Sequence, residues 1–122
     1  MNSMKPSVLV IDDEKDIRDI CHGIIARSFA CDVISNSSIS EGITSIGANK
    51  IDVAILDVHL QDGVGFDLIP LLRAQNPSVK IVIITAYNQC SEVEKSKNLS
   101  VDHFLGKPFT SVQLKETLAL WL

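Results

Sequence analysis

The sequence predicts an α/β fold: a (βα)5 chain doubly wound around one five-stranded parallel sheet, in three αβα layers. Three observations carry that expectation. Short apolar runs rich in β-branched residues recur at residues 8–11, 53–56 and 81–84, with a weaker run at 101–105 and a further candidate at 32–35. These runs are mostly continuous rather than alternating, as expected of strands covered on both faces. The stretches between them carry apolar residues at three- and four-residue spacing, the mark of amphipathic helices. Crossovers between parallel strands are right-handed, so such helices divide between the two faces of the sheet.

The elements follow in order. Residues 16–29 predict a first helix with Ile17, Ile20, Cys21, Ile24, Ile25 and Phe29 turned inward. Ser38-Ile39-Ser40-Glu41 reads as a capping box that opens a second helix, with Ile39, Ile43 and Ile46 inward. A third helix spans 66–74 and closes at Asn76-Pro77; Pro70 removes a backbone donor and should kink or delay it. Residues 87–97 form a poor, polar fourth helix in which Cys90 and Val93 are nearly the only apolar positions. Thr110-Ser111-Val112-Gln113 opens the last helix with a second capping box, followed by the stripe Leu114, Leu118 and Trp121.

Composition bounds the function. The chain has 122 residues, which predicts one domain over 1–122. Apolar residues are 46% and charged residues 21%, a globular balance. The net charge of −4 argues against direct binding of nucleic acid, which needs a basic face. The longest apolar runs have four or five residues, against about 20 for a membrane span. The start, Met1-Asn2-Ser3-Met4-Lys5-Pro6, has no apolar signal-peptide core. Cys21, Cys31 and Cys90 are too few and too scattered for a disulfide framework, which leaves free thiols in a reducing cytoplasm.

In sheets of this kind ligands bind beyond the carboxyl ends of the strands. Asp12, Asp13 and Glu14 follow the first strand, Asp57 the middle one, Thr85 the next, and Gly106, Lys107 and Pro108 the last. Each has an ordinary alternative: Asp13 as a helix cap, Asp57 as a turn former, Thr85 as a solvated hydroxyl, Lys107 as a surface charge. Together, carboxylates at one site repel one another unless a cation compensates. Mg²⁺ takes one or two carboxylates together with waters and phosphate oxygens. A lysine beside it suits a bound anion, and an Asp can act as nucleophile and form an aspartyl-phosphate.

The segments Val10-Ile11-Asp12-Asp13-Glu14, Ile55-Leu56-Asp57-Val58-His59-Leu60, Ile84-Thr85-Ala86 and Phe104-Leu105-Gly106-Lys107-Pro108-Phe109 resemble the receiver domain of two-component response regulators. The resemblance spans the whole chain and implies a flavodoxin-like fold. It implies that Asp57 accepts a phosphoryl group from a sensor histidine kinase or a histidine phosphotransfer protein. Asp12, Asp13 and Asp57 would hold Mg²⁺, or Mn²⁺ in its place, with the backbone carbonyl of His59 as a further ligand. Thr85, Ala86 and Lys107 would meet the phosphoryl group, and Thr85 with Phe104 would carry the switch to the face of the fourth helix, fifth strand and fifth helix. That face would engage an output domain or a second copy of the chain. The Lys107–Pro108 peptide would be cis. The chain would be a cytoplasmic signalling domain and not an enzyme, assisting only its own phosphorylation and dephosphorylation.

Three departures stand out. Gln61 replaces a proline common in the family, which removes a φ constraint from the loop after Asp57. The aromatic switch position is Phe104, with no hydroxyl. His59 and Tyr87 stand where the family tunes access of water to the phosphoryl group, and their bulk predicts slowed or altered phosphate loss. Two rival readings are weaker. A Mg²⁺-dependent phosphohydrolase would want an Asp two residues after the nucleophile, where His59 stands. A receiver-like module that only binds proteins would have lost one of Asp13, Asp57, Thr85 and Lys107, and all are present. Gly63-Val64-Gly65 is a glycine turn and not a dinucleotide fingerprint, because Leu68 stands at the third glycine position.

Overall fold

The apolar runs become five parallel strands in the structure, a computed structural model that describes residues 5–86 and 101–122. They are β1 (Ser7–Ile11), β2 (Asp32–Asn36), β3 (Val53–Asp57), β4 (Lys80–Ala86) and β5 (His103–Lys107). Their order across the sheet is β2-β1-β3-β4-β5. Successive strand residues point to opposite faces, so each continuous run supplies two cores. Leu9, Ile11, Leu56, Ile81 and Ile83 pack on one side with Ile46, Leu68, Ile69 and Leu72. Val8, Val10, Ile55, Val82 and Ile84 pack on the other with Cys21, Ile24, Ile25, Leu114 and Leu118. The helices are therefore split as the crossover rule requires: α2 (Ile39–Ala48) and α3 (Ile69–Gln75) on the first face, α1 (Lys15–Ser28) and the C-terminal helix (Ser111–Ala119) on the second. None of the described helices is long and apolar enough to cross a membrane.

Four helical expectations need correction or refinement. Ile20 and Ile43, both expected inside, are each 50% exposed. In α2 the inward positions are Gly42 and Ile46, with Ile39 partly buried against the same core. Gly42 runs so close beneath Ile11 and Leu68 that a Cβ would collide with the Ile11 side chain. That close approach sets the helix rotation and turns Ile43 out. Pro70 does not kink a helix. A 3₁₀ turn (Gly65–Leu68) precedes α3, and Pro70 sits in the first turn of α3, where its missing N–H has no helical acceptor to lose. The first capping box is half formed: Ser38 Oγ accepts the Glu41 N–H at 3.1 Å, but Glu41 Oε1 accepts from Ser37 N–H at 2.6 Å instead of from Ser38. The second is complete between Thr110 and Gln113. The polar helix expected over 87–97, with Tyr87, Cys90 and Val93, lies outside the described residues.

One pair of strands has no apolar run to mark it. After Asp57 the chain makes a two-stranded antiparallel ribbon, His59–Leu60 against Gly63–Val64. Gly63 turns the corner at φ +156°, a conformation that favours glycine. Gly65 then donates its N–H to the Val58 carbonyl at 2.8 Å, and its Cα presses on the Asp57 carbonyl so closely that a Cβ there would overlap it. Gly65→Ala should therefore cost about 1–3 kcal/mol, the range of an overpacked buried site. Urea unfolding measures this, and an unchanged midpoint would contradict the packing.

Candidate functional site

The sheet brings its acidic strand ends together. Asp12 leaves β1 fully buried, with its N–H donated to the Asn36 carbonyl at 3.1 Å. Its Oδ1 accepts the Glu14 N–H at 2.8 Å, and Arg18 Nη1 donates to its backbone carbonyl at 2.7 Å. These bonds hold the turn rigidly. Asp57 ends β3 at the adjacent position and is 6% exposed. Asp13 is only partly buried. It does not cap α1, because the N-cap is Glu14 and no side chain bonds there. Asp12, Asp13 and Asp57 each offer one oxygen within 4.8 Å of the others, a cluster that could hold a metal ion.

Lys107 ends β5 and reaches into the same space. Its Nζ is 2.9 Å from Asp12 Oδ2, 3.0 Å from Glu14 Oε1 and 3.2 Å from Asp57 Oδ2. The Asp12 contact is close but poorly aligned, and that buried oxygen forms no hydrogen bond of good geometry. Glu14, read from the sequence only as one of the converging acids, is thus a direct partner of the lysine.

One ammonium faces four carboxylates, and the balance shows in their proton affinities. Burial pushes the Asp57 carboxyl up to about 6, and the Asp12 charge adds to this, while Lys107 opposes it. Burial works against the charged form of Lys107. Its close contacts with Asp12 and Glu14 and the charges of Asp57 and Asp12 outweigh that, and hold its pKa above the ordinary value. Both partners of the Lys107–Asp57 contact are therefore raised: the lysine is oversupplied with negative charge, and Asp57 receives too little positive charge. Cys21 is pushed up to about 12 by burial and then by Asp12, so its thiol stays protonated.

The remaining candidates lie around this centre. Thr85, buried near the end of β4, donates its hydroxyl to the Ala86 carbonyl at 3.3 Å. Ala86 is exposed and pairs in register with Lys107. Phe104 is partly buried against the first core. His59 is exposed on the ribbon, and the Lys107–Pro108 peptide is cis. Tyr87 lies outside the described residues.

A carboxyl whose folded-state pKa is raised destabilises the fold as it ionises. The cost is absent below pH 4, grows through about pH 6 and is full above it. In the presence of chelator, Asp57→Asn should stabilise the protein by about 1–2 kcal/mol at pH 7.5 and by progressively less toward pH 4. Thermal unfolding across that range checks the sign; a destabilised variant at pH 7.5 would contradict it.

Comparison with known proteins places this geometry. Residues 8–119 match the response regulator receiver domain family. The response regulator protein PilR of Pseudomonas aeruginosa is 27% identical over 115 residues, covering 94% of this chain and 26% of that protein. The transcriptional regulatory protein YvrH of Bacillus subtilis is 30% identical over 110 residues, covering 88% of this chain and 45% of that protein. The chain thus spans about a quarter to a half of the length of these relatives. In fold it is similar to a CheY-like receiver domain protein of Methanospirillum hungatei, with a TM-score of 0.87 at 23% identity, covering 95% of this chain and 92% of that one. The chemotaxis protein CheY4 of Vibrio cholerae superposes with a TM-score of 0.87 at 23% identity, covering 97% and 99% of the two chains. The chain belongs to the response regulator receiver domain family, the phosphorelay signalling modules of two-component systems.

Proposed function

We propose that Asp57 is the phosphoacceptor of this receiver domain and takes its phosphoryl group from a sensor histidine kinase or a histidine phosphotransfer protein. The observation that carries the reading is the meeting of Asp12, Asp13 and Asp57 within 4.8 Å, with Lys107 Nζ 3.2 Å from Asp57. The donor set fits a hard divalent cation. It is all oxygen, it carries excess negative charge, and the buried Asp12 Oδ2 lacks an aligned hydrogen bond. Asp12, Asp13 and Asp57, with the His59 backbone carbonyl, would hold Mg²⁺, for which Mn²⁺ can substitute. Once bound, the cation supplies positive charge to the phosphoryl oxygens and to Asp57.

The chain's own residues do the rest. An Asp57 oxygen attacks phosphorus as the phosphohistidine P–N bond breaks, and the electron pair leaves with the imidazole. Phosphoryl transfer asks mainly for positioning and charge neutralisation. Burial of Asp57 at the end of a rigid strand gives the first, and the Lys107 ammonium contributes to the second. Thr85 and the Ala86 N–H donate to the phosphoryl oxygens. Drawing Thr85 toward them leaves room for the half-buried Phe104 to turn inward, which changes the face of β5 and the C-terminal helix. Through that face the domain engages an output domain or a second copy of itself. The reading makes the domain a cytoplasmic one that catalyses nothing beyond its own phosphorylation and dephosphorylation and has no nucleic-acid contact of its own.

Incubation with Mg²⁺ and a small phospho-donor should add one phosphoryl group to the intact mass, and Asp57→Asn should abolish it. No adduct, or one that survives the substitution, would overturn the reading. His59→Ala and Tyr87→Ala should each lose phosphate several-fold faster, as the bulk of the two side chains predicts; rates equal to that of the unsubstituted protein would contradict this.

A further inference from the structure

The loop after Asp57 is pinned at two ends by different chemistry. At its base the Gly65 N–H bonds the Val58 carbonyl at 2.8 Å. At its tip Asp62 reaches across to α2. Asp62 Oδ1 accepts the Ile39 N–H at 2.8 Å, and Asp62 Oδ2 accepts the Ser40 N–H at 3.1 Å. These are the first two amides of the helix, donors with no partner inside it. Ser38 Oγ takes the third. The two backbone bonds hold the Asp62 carboxyl below its usual range, and its charge complements the helix N-terminus. Beside it, Gly63 lies against the Ile39 side chain, so that a Cβ there would stand 3.3 Å from Ile39 Cγ1.

The ribbon itself pairs only His59 with Val64 and Leu60 with Gly63. An isolated hairpin this small does not hold its shape in water. Its tip is therefore held by α2, and His59 lies between the fixed base and the fixed tip. We propose that Asp62 is a positioning residue for the cation site: by clasping the N-terminus of α2, it holds the His59 carbonyl where the ion needs it. The inference rests on the Mg²⁺ reading above. It also has a reciprocal consequence, because a clasp that favours cation binding is itself favoured by the cation. Loading the site should then tighten the start of α2, which carries none of the expected ligands.

The test uses the whole chain, Mg²⁺ alone as the probe, and a temperature well below unfolding. Calorimetric titration compares the unsubstituted protein with Asp62→Ala, Asp62→Asn and Asp13→Asn, and amide hydrogen exchange is followed at Ile39 and Ser40. Asp62→Ala should bind Mg²⁺ roughly tenfold more weakly, the usual loss when a residue orienting a metal ligand is removed. Asp62→Asn keeps one acceptor oxygen and should lose less; it carries the same test if Asp62→Ala does not fold. Mg²⁺ should raise protection at Ile39 and Ser40 in the unsubstituted protein and not in Asp62→Ala. Asp62 variants with unaltered affinity, or protection indifferent to Mg²⁺, overturn the inference while binding lost in Asp13→Asn leaves the cation reading standing. An unsubstituted protein that binds no Mg²⁺, or binds it as well after Asp13→Asn, overturns both.

Discussion

One lysine among four carboxylates is the interaction on which the site depends. Lys107 lies within 3.2 Å of Asp12, Glu14 and Asp57, and Asp13 stands beside them. A single positive charge cannot satisfy that many negative ones in a partly buried space, so the cost falls on a buried member of the cluster. That member is Asp57, whose carboxyl is pushed up to about 6. Under the proposed reading, the same imbalance that strains the pocket favours a cation there, and with it the phosphoryl group. The fold tolerates the strain because the cost is small beside the two cores that flank the sheet.

The backbone around this cluster is built for close approach. Gly65 lies where any side chain would overlap the Asp57 carbonyl, and Gly42 brings α2 down onto Ile11, one residue before Asp12. The β1 turn is fixed by the bonds of Asp12 to Asn36, Glu14 and Arg18. The β3 loop is fixed by Gly65 at its base and by Asp62 at its tip. The second anchor bears on the departure at Gln61, which removes a backbone constraint from this loop. A loop carboxylate bonded to the amides of a neighbouring helix is a different way to restrain the same chain segment.

Much of this was legible in the sequence, for a physical reason. Strands buried on both faces must be apolar throughout, and residues 8–11, 53–56 and 81–84 are. A topology with ligands at strand ends then points to Asp12, Asp57, Thr85 and Lys107 without any knowledge of contacts. Less legible was anything decided by packing between elements. Periodicity counts Ile20 and Ile43 as core, but helix rotation is set by what can approach closest, and Gly42 is what approaches Ile11. Pro70 reads as a breaker until the turn before it supplies a new helix start. The Asp62 clasp joins residues 22 and 23 positions apart, and no local pattern encodes it. The acidic excess also has other uses: Asp52 and Asp102 accept the Ser7 and Ile81 amides at 2.8 Å and stitch the starts of β1 and β4.

The central claim is that a charge deficit at Asp57 prepares the site for a cation. Carbon-13 NMR of the aspartate carboxyl groups tests it most directly, with pH titrated in chelator and again in saturating Mg²⁺. The account predicts an Asp57 midpoint near 6 in chelator that falls well below this when the cation is present. An Asp57 midpoint in the ordinary carboxylate range that Mg²⁺ leaves unmoved would contradict it.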